Sequence, residues 1–214
     1  MIYEPVLLDM PIRQGDIFRS MPRLDFAPSQ VAVVDADETS RQANWLDLLQ
    51  ESGAAPAVAA LVSVKPVNAV VITQDCDARR GEYLSLCQID SFIDTMGGGN
   101  CPTVPKKWQS LIIKHSRAQL RWFYLPADPA MGFAERRAVD FRVVLRLPRI
   151  DLEEMKSLRV CRLNEIASEH FRESLAQFVR RYPYDEWYPL TKEEFLAYAE
   201  EKEDAFIRPF PYQQ

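Results

Sequence analysis

Apolar residues in this chain fall into short runs set apart by polar turns, and the most informative pair lies within residues 67–89, VNAVVITQDCDARRGEYLSLCQI. The first run is β-branched, too short for an ordinary helix and bounded by Pro66, which predicts a buried strand over 67–73. The second, YLSLCQI, puts Leu84, Leu86 and Gln88 on one face and Tyr83, Ser85, Cys87 and Ile89 on the other. Between them, residues 77–82 supply turn chemistry, with Gly81 free to take positive φ, so the two runs are expected to form an antiparallel hairpin. Further strands are expected at 3–8, 12–18 (stopped by Met21-Pro22), 31–34, 58–64 (parted from 67–73 by Lys65-Pro66), 120–125, 141–147 and 159–163. Helical spacing appears in Trp45, Leu48 and Leu49 inside a polar stretch, and in Trp108, Leu111 and Ile112 after Pro105. A short helix is expected at 152–158. A stronger stripe follows at Ala167, Phe171, Leu175, Phe178 and Val179, and the capping box Thr191-Lys192-Glu193-Glu194 opens a last helix.

The sum is an α+β chain: a small antiparallel β-barrel of roughly five to seven strands with helical insertions, closed by two C-terminal helices. The expected division is a β-barrel domain over 1–150, carrying a helical insertion at 36–53, and a C-terminal helical extension over 151–214 packed on the barrel.

A length of 214 residues with 47% hydrophobic content suffices for one sizeable core. No apolar stretch reaches membrane-spanning length, and the N-terminus lacks the basic region of a secretory signal, so a cytoplasmic location and no membrane partner are expected. The four cysteines contain no CxxC pair, which argues for buried thiols over a disulfide framework or zinc ribbon. The glycine run 97–99 is not followed by Lys-Ser/Thr, so it is no P-loop and reads as a flexible loop.

A net charge of −5 removes any global electrostatic case for nucleic acid but leaves a local one. Between Met96 and Ala127 there is no Asp or Glu, while Lys106, Lys107, Lys114, Arg117 and Arg121 interleave with Trp108, Trp122, Phe123 and Tyr124. Cations track phosphates and aromatic faces stack on bases, so Lys106, Lys107, Trp108, Lys114, Arg117 and Arg121 form a candidate RNA, DNA or protein-partner surface. In the competing reading the aromatics are core and the cations pair with acidic helices elsewhere.

Strand alternation would set Thr73, Asp75 and Asp77 on one face. Two carboxylates so placed are costly unless hydrogen-bonded, paired or metal-bound. The functional reading is a Mg²⁺ or general-base site, Mg²⁺ being the one cofactor implied. The alternative is that both acids bond backbone N–H groups of the turn and face water. No G-x-S-x-G, H-E-x-x-H or G-x-G-x-x-G motif occurs. The only histidines, His115 and His170, read as structural.

The run Gly15-Asp16-Ile17-Phe18, followed later by Val70-Val71-Ile72-Thr73 and a polar elbow, resembles the PemK/MazF-like small-barrel toxins. The resemblance covers residues 12–89. It implies an SH3-like barrel, cleavage of single-stranded RNA and an antitoxin partner, with Arg13, Gly15, Asp16 and Thr73 near the RNA groove. Asp16 thereby joins Asp75 and Asp77 as a candidate catalytic carboxylate. No complete catalytic constellation accompanies these motifs. The expected function is therefore a non-catalytic barrel module of a bacterial stress or defence system, binding a protein or nucleic-acid partner. The alternative is an endoribonuclease, PemK/MazF-like or metal-assisted through Asp75 and Asp77.

Overall fold

The two runs of residues 67–89 do lie side by side, Val70 opposite Cys87 and Val71 opposite Leu86 in antiparallel register. The structure is a computed structural model and describes residues 2–34, 39–52, 59–92, 105–118 and 120–180. In chain order these form β1 (Tyr3–Glu4), β2 (Asp16–Asp25), β3 (Val31–Val34), β4 (Ser40–Ala43), α1 (Trp45–Ser52), β5 (Ala59–Leu61), β6 (Ser63–Val71), α2 (Asp75–Arg80) and β7 (Tyr83–Ser91). There follow α3 (Pro105–Ala118), β8 (Trp122–Leu125), β9 (Arg137–Pro148), α4 (Arg149–Glu154), β10 (Arg159–Leu163) and α5 (Glu165–Val179).

Seven strands make one antiparallel sheet in the order β1-β10-β2-β6-β7-β9-β8, curled into a half-barrel. The two edges approach one another: the Tyr3 hydroxyl donates to the Pro126 carbonyl at 2.8 Å, and its ring stacks on Phe133 with centroids 5.1 Å apart. Alternation along the strands builds a core on each face of the sheet. Tyr3, Ile17, Val70, Cys87, Phe141 and Cys161 point inward, where Ala167 and Phe171 of α5 complete the packing. Phe18, Ala69, Val71, Leu84 and Leu86 point outward, under Ala78 of α2 and Leu152 of α4.

Three expectations are corrected here. Pro22 does not stop its strand, nor does Pro66 separate two strands; they are cross-strand partners within the β2–β6 ladder. β10 borders β2 only from Asp16 to Phe18, and β7 borders β6 only from Asn68 to Val71, so both prolines sit where the outer edge is open. An open edge is where a strand tolerates a residue without an N–H. Between Asp25 and Ser63, strands β3, β4 and β5 form a second sheet of order β4-β3-β5. Val31, Val33 and Leu48 of α1 bury together there. Strand β4, SRQA, carries no apolar alternation, which is why periodicity passes over it. β10 enters the sheet between β1 and β2, and the chain divides into compact units at Met1–Phe178 and Val179–Gln214. That placement depends on pairing with the start of the chain, a contact invisible to local sequence. The last correction concerns 72–77: the strand ends at Val71 and α2 begins at Asp75. The helix expected from Thr191, the glycine run 97–99 and Cys101 lie outside the described residues. No helix among those described is long and apolar enough to cross a membrane.

Candidate functional site

Gly15 begins the site because only glycine fits there. Its φ is +86°, and an added Cβ would stand 3.1 Å from Ser168 Oγ and 3.4 Å from Leu163 Cβ. The Gly15 N–H donates to the Val71 carbonyl at 3.0 Å, and its own carbonyl accepts from Leu163 N–H at 3.0 Å. Beside it, the Gln14 side chain donates to the Ile72 carbonyl at 2.8 Å, and its backbone N–H donates to Asp75 Oδ1 at 2.9 Å. The Gly15–Phe18 and Val70–Thr73 motifs, more than fifty residues apart in sequence, are thus laced into one corner of the sheet. Thr73 is part of the lacing: its hydroxyl accepts from Ser85 N–H at 2.7 Å, fixing the end of β6 to β7.

Beneath this corner Asp16 is fully buried, with Arg159 1% exposed at its side chain. Arg159 Nη1 donates to Asp16 Oδ2 at 2.9 Å, Arg162 Nη2 to the same oxygen at 3.1 Å, and Arg162 Nε bonds Asp16 Oδ1. The Arg13 backbone N–H adds a bond of 3.0 Å to Oδ2. Both guanidiniums reach further, to the carbonyls of Leu7, Met10 and Pro11. Buried charge is tolerable only when paired and hydrogen-bonded to this degree. The arrangement anchors the loop leading into β2 and keeps the Asp16 carboxylate away from solvent.

Above the anchor opens a cleft of about 400 Å³. α5 lines it with Glu165, Ser168 and Arg172, residues at i, i+3 and i+7 on one helix face. Glu4 of β1, Arg13, Gln14, Asp75, Arg162 and Leu163 complete the wall. Among the described residues no acceptor meets the guanidinium of Arg13 or of Arg172, and Arg13 Nε is buried without a partner. Arg162, by contrast, is already engaged by Asp16. Periodicity singled out neither Arg162 nor Arg172. The only trace of Arg172 in the sequence is the 165/168/172 spacing, polar against the apolar stripe of the same helix.

The shared carboxylate face expected for Thr73, Asp75 and Asp77 is corrected. In α2, residues two apart point about 200° from one another around the axis, so Asp75 faces the cleft and Asp77 does not. The helix forms because Ala78 buries in the outer core, the Gln74 carbonyl accepts from the N–H groups of Asp77 and Ala78, and acids suit a helix N-terminus. Among the described residues no group of three or more metal-ligating side chains gathers.

In the basic stretch, Lys106 and Lys107 are exposed on α3, whereas the side chains of Trp108, Lys114 and Arg117 lie outside the described residues. Trp122 is buried with Phe92 and Ala138, and Phe123 meets Phe171 edge-on at 5.1 Å, so both rings are packing groups. Arg121 and Arg142 lie over the Trp122 ring at 4.6 and 5.7 Å. Arg142 also forks onto Asp140 at 3.0 and 2.7 Å, a pairing that raises its pKa. That fork braces a bulge in β9: Gln88 pairs with Asp140 while the adjacent Cys87 pairs with Val144.

No known protein-family model matches the chain, and no curated protein matches it.

Proposed function

We propose that this curled sheet is an SH3-like barrel of the PemK/MazF kind, used as a non-catalytic module that docks a protein partner in the cleft between Arg13, Asp75 and α5. The observation that carries the reading is the charge arrangement. Three arginines and three acids (Arg13, Arg162, Arg172; Glu4, Asp75, Glu165) line one opening, and two of the arginines have no partner of their own among the described residues. A wall of both signs complements a polar protein surface better than a polyphosphate, which the acids repel. A bacterial stress or defence setting and a cytoplasmic location belong to the same proposal.

The second reading, an endoribonuclease, is favoured by the meeting of the Gly15–Phe18 and Val70–Thr73 motifs in the sheet corner beside this cleft, with Asp75 of the cleft wall as its proton acceptor.

The test is recovery of partner with tagged full-length protein from bacterial cells, beside incubation of the same protein with single-stranded RNA, with and without Mg²⁺. Arg172→Glu should lose the partner, Lys106→Glu/Lys107→Glu should keep it, and RNA should remain intact. RNA cleavage that Asp75→Asn abolishes would replace the first reading with the second.

A further inference from the structure

We infer that the cleft is a carboxylate receptor, in which the guanidiniums of Arg13 and Arg172 take an acidic side chain of the protein partner. The inference rests on the interaction-module reading and names the chemistry that such a partner must present.

Three features point to it. Arg162 is already engaged by the buried Asp16 and the Pro11 carbonyl, so its Nε and Nη2 donors are in use from below. Arg13 and Arg172 differ: both face the opening, neither meets an acceptor among the described residues, and Arg13 Nε is buried with its donor unused. A buried donor left unpaired in the free protein is a site where a bound acceptor gains most. The planar guanidinium fork matches a carboxylate in two parallel hydrogen bonds.

The remaining lining decides between anions. Glu4 and Glu165 sit on the same wall and Asp75 stands at its side, so a second negative charge next to the first would be repelled. A basic group next to the captured carboxylate would instead find a partner in Glu4 or Glu165. Among the described residues no aromatic side chain lines the cleft, so a nucleobase would find no ring there to stack on. The ligand of best fit is therefore a protein segment carrying an acid beside a base.

The experiment is NMR of the full-length protein, following the arginine Nε–Hε and Gly15 amide signals. The probes are a blocked Asp-Lys dipeptide, its Asn-Lys counterpart, inorganic phosphate and a short single-stranded RNA. The Asp-Lys probe should shift the Arg13 and Gly15 signals saturably, with the Asn-Lys probe weaker by at least about tenfold. Arg172→Gln, an exposed position, should weaken the Asp-Lys probe by a similar factor, and Arg80→Gln, outside the cleft, should not. Tighter binding of phosphate or RNA at the same signals would overturn the carboxylate assignment in favour of a phosphate ligand. Unmoved Arg13 and Gly15 signals with the Asp-Lys probe would also overturn it. Partner recovery that still depends on Arg172 would then leave the interaction module standing, whereas loss of that dependence too would remove both.

Discussion

Asp16 is shut off from water, so its charge depends on Arg159, Arg162 and the Arg13 amide. Removing the negative charge while leaving two buried guanidiniums in place is much worse than removing the whole set. Asp16→Asn should therefore cost about 3–5 kcal/mol in urea-induced unfolding. A loss well under 1 kcal/mol, about the worth of an exposed ion pair, would show the cluster to be solvated in practice. Asp75 is the opposite kind of carboxylate, exposed and held by one backbone N–H of Gln14. Two acids that look alike in sequence thus serve differently, one as an anchor under the cleft and the other as part of its wall.

At the scale of elements, α5 joins core to site. Ala167 and Phe171 enter the inner core, while Glu165, Ser168 and Arg172, on another face, line the cleft. Anything that shifts the helix moves the site with it. The small sheet at the end of the β2–β6 ribbon is energetically separate, because Val31, Val33 and Leu48 form their own cluster. Leu48→Ala should weaken that cluster by about 2–5 kcal/mol. Hydrogen exchange should then speed up in β3 and α1 while amides of β6 and β7 keep their protection. Faster exchange in β6 or β7 would mean that tip and main sheet unfold as one. The extent of this insertion was only half legible. The Trp45/Leu48/Leu49 spacing announces α1, but β4 is a polar strand whose existence depends on its neighbour β3.

For the molecule as a whole, the inner core is built around two thiols and a phenol. Burial, reinforced by Asp140, pushes Cys87 up to about 12. Burial, with Asp128 and Asp16 nearby, does the same to Cys161. Burial also raises the Tyr3 phenol, with the same sign. Both thiols stay protonated in the fold, whereas the unfolded chain releases those protons near the ordinary value of 9.0. Stability is then fully present below pH 9 and falls as the pH rises towards 12. Urea midpoints should hold up to about pH 9 and decline from there towards about pH 11, and in a Cys101→Ser background only Cys76 should react quickly with a thiol reagent in the native state. A flat profile, or fast modification of Cys87, would contradict the tight inner packing.

What this sequence determined by itself is the local grammar. Strand runs, the antiparallel pairing of β6 with β7 and the apolar stripe of α5 all follow from short-range periodicity and turn residues, which act wherever the chain goes. The tertiary structure decided everything that needed distant partners. It seated β10 beside β1 and β2, let Pro22 and Pro66 face each other on open edges, and turned Asp75 and Asp77 apart by burying Ala78 in the outer core. It also gathered Arg13, Arg162 and Arg172 around one cleft. The physical reason is that burial and charge pairing are properties of neighbours in space, and neighbours more than a hundred residues apart leave no periodic trace in the chain.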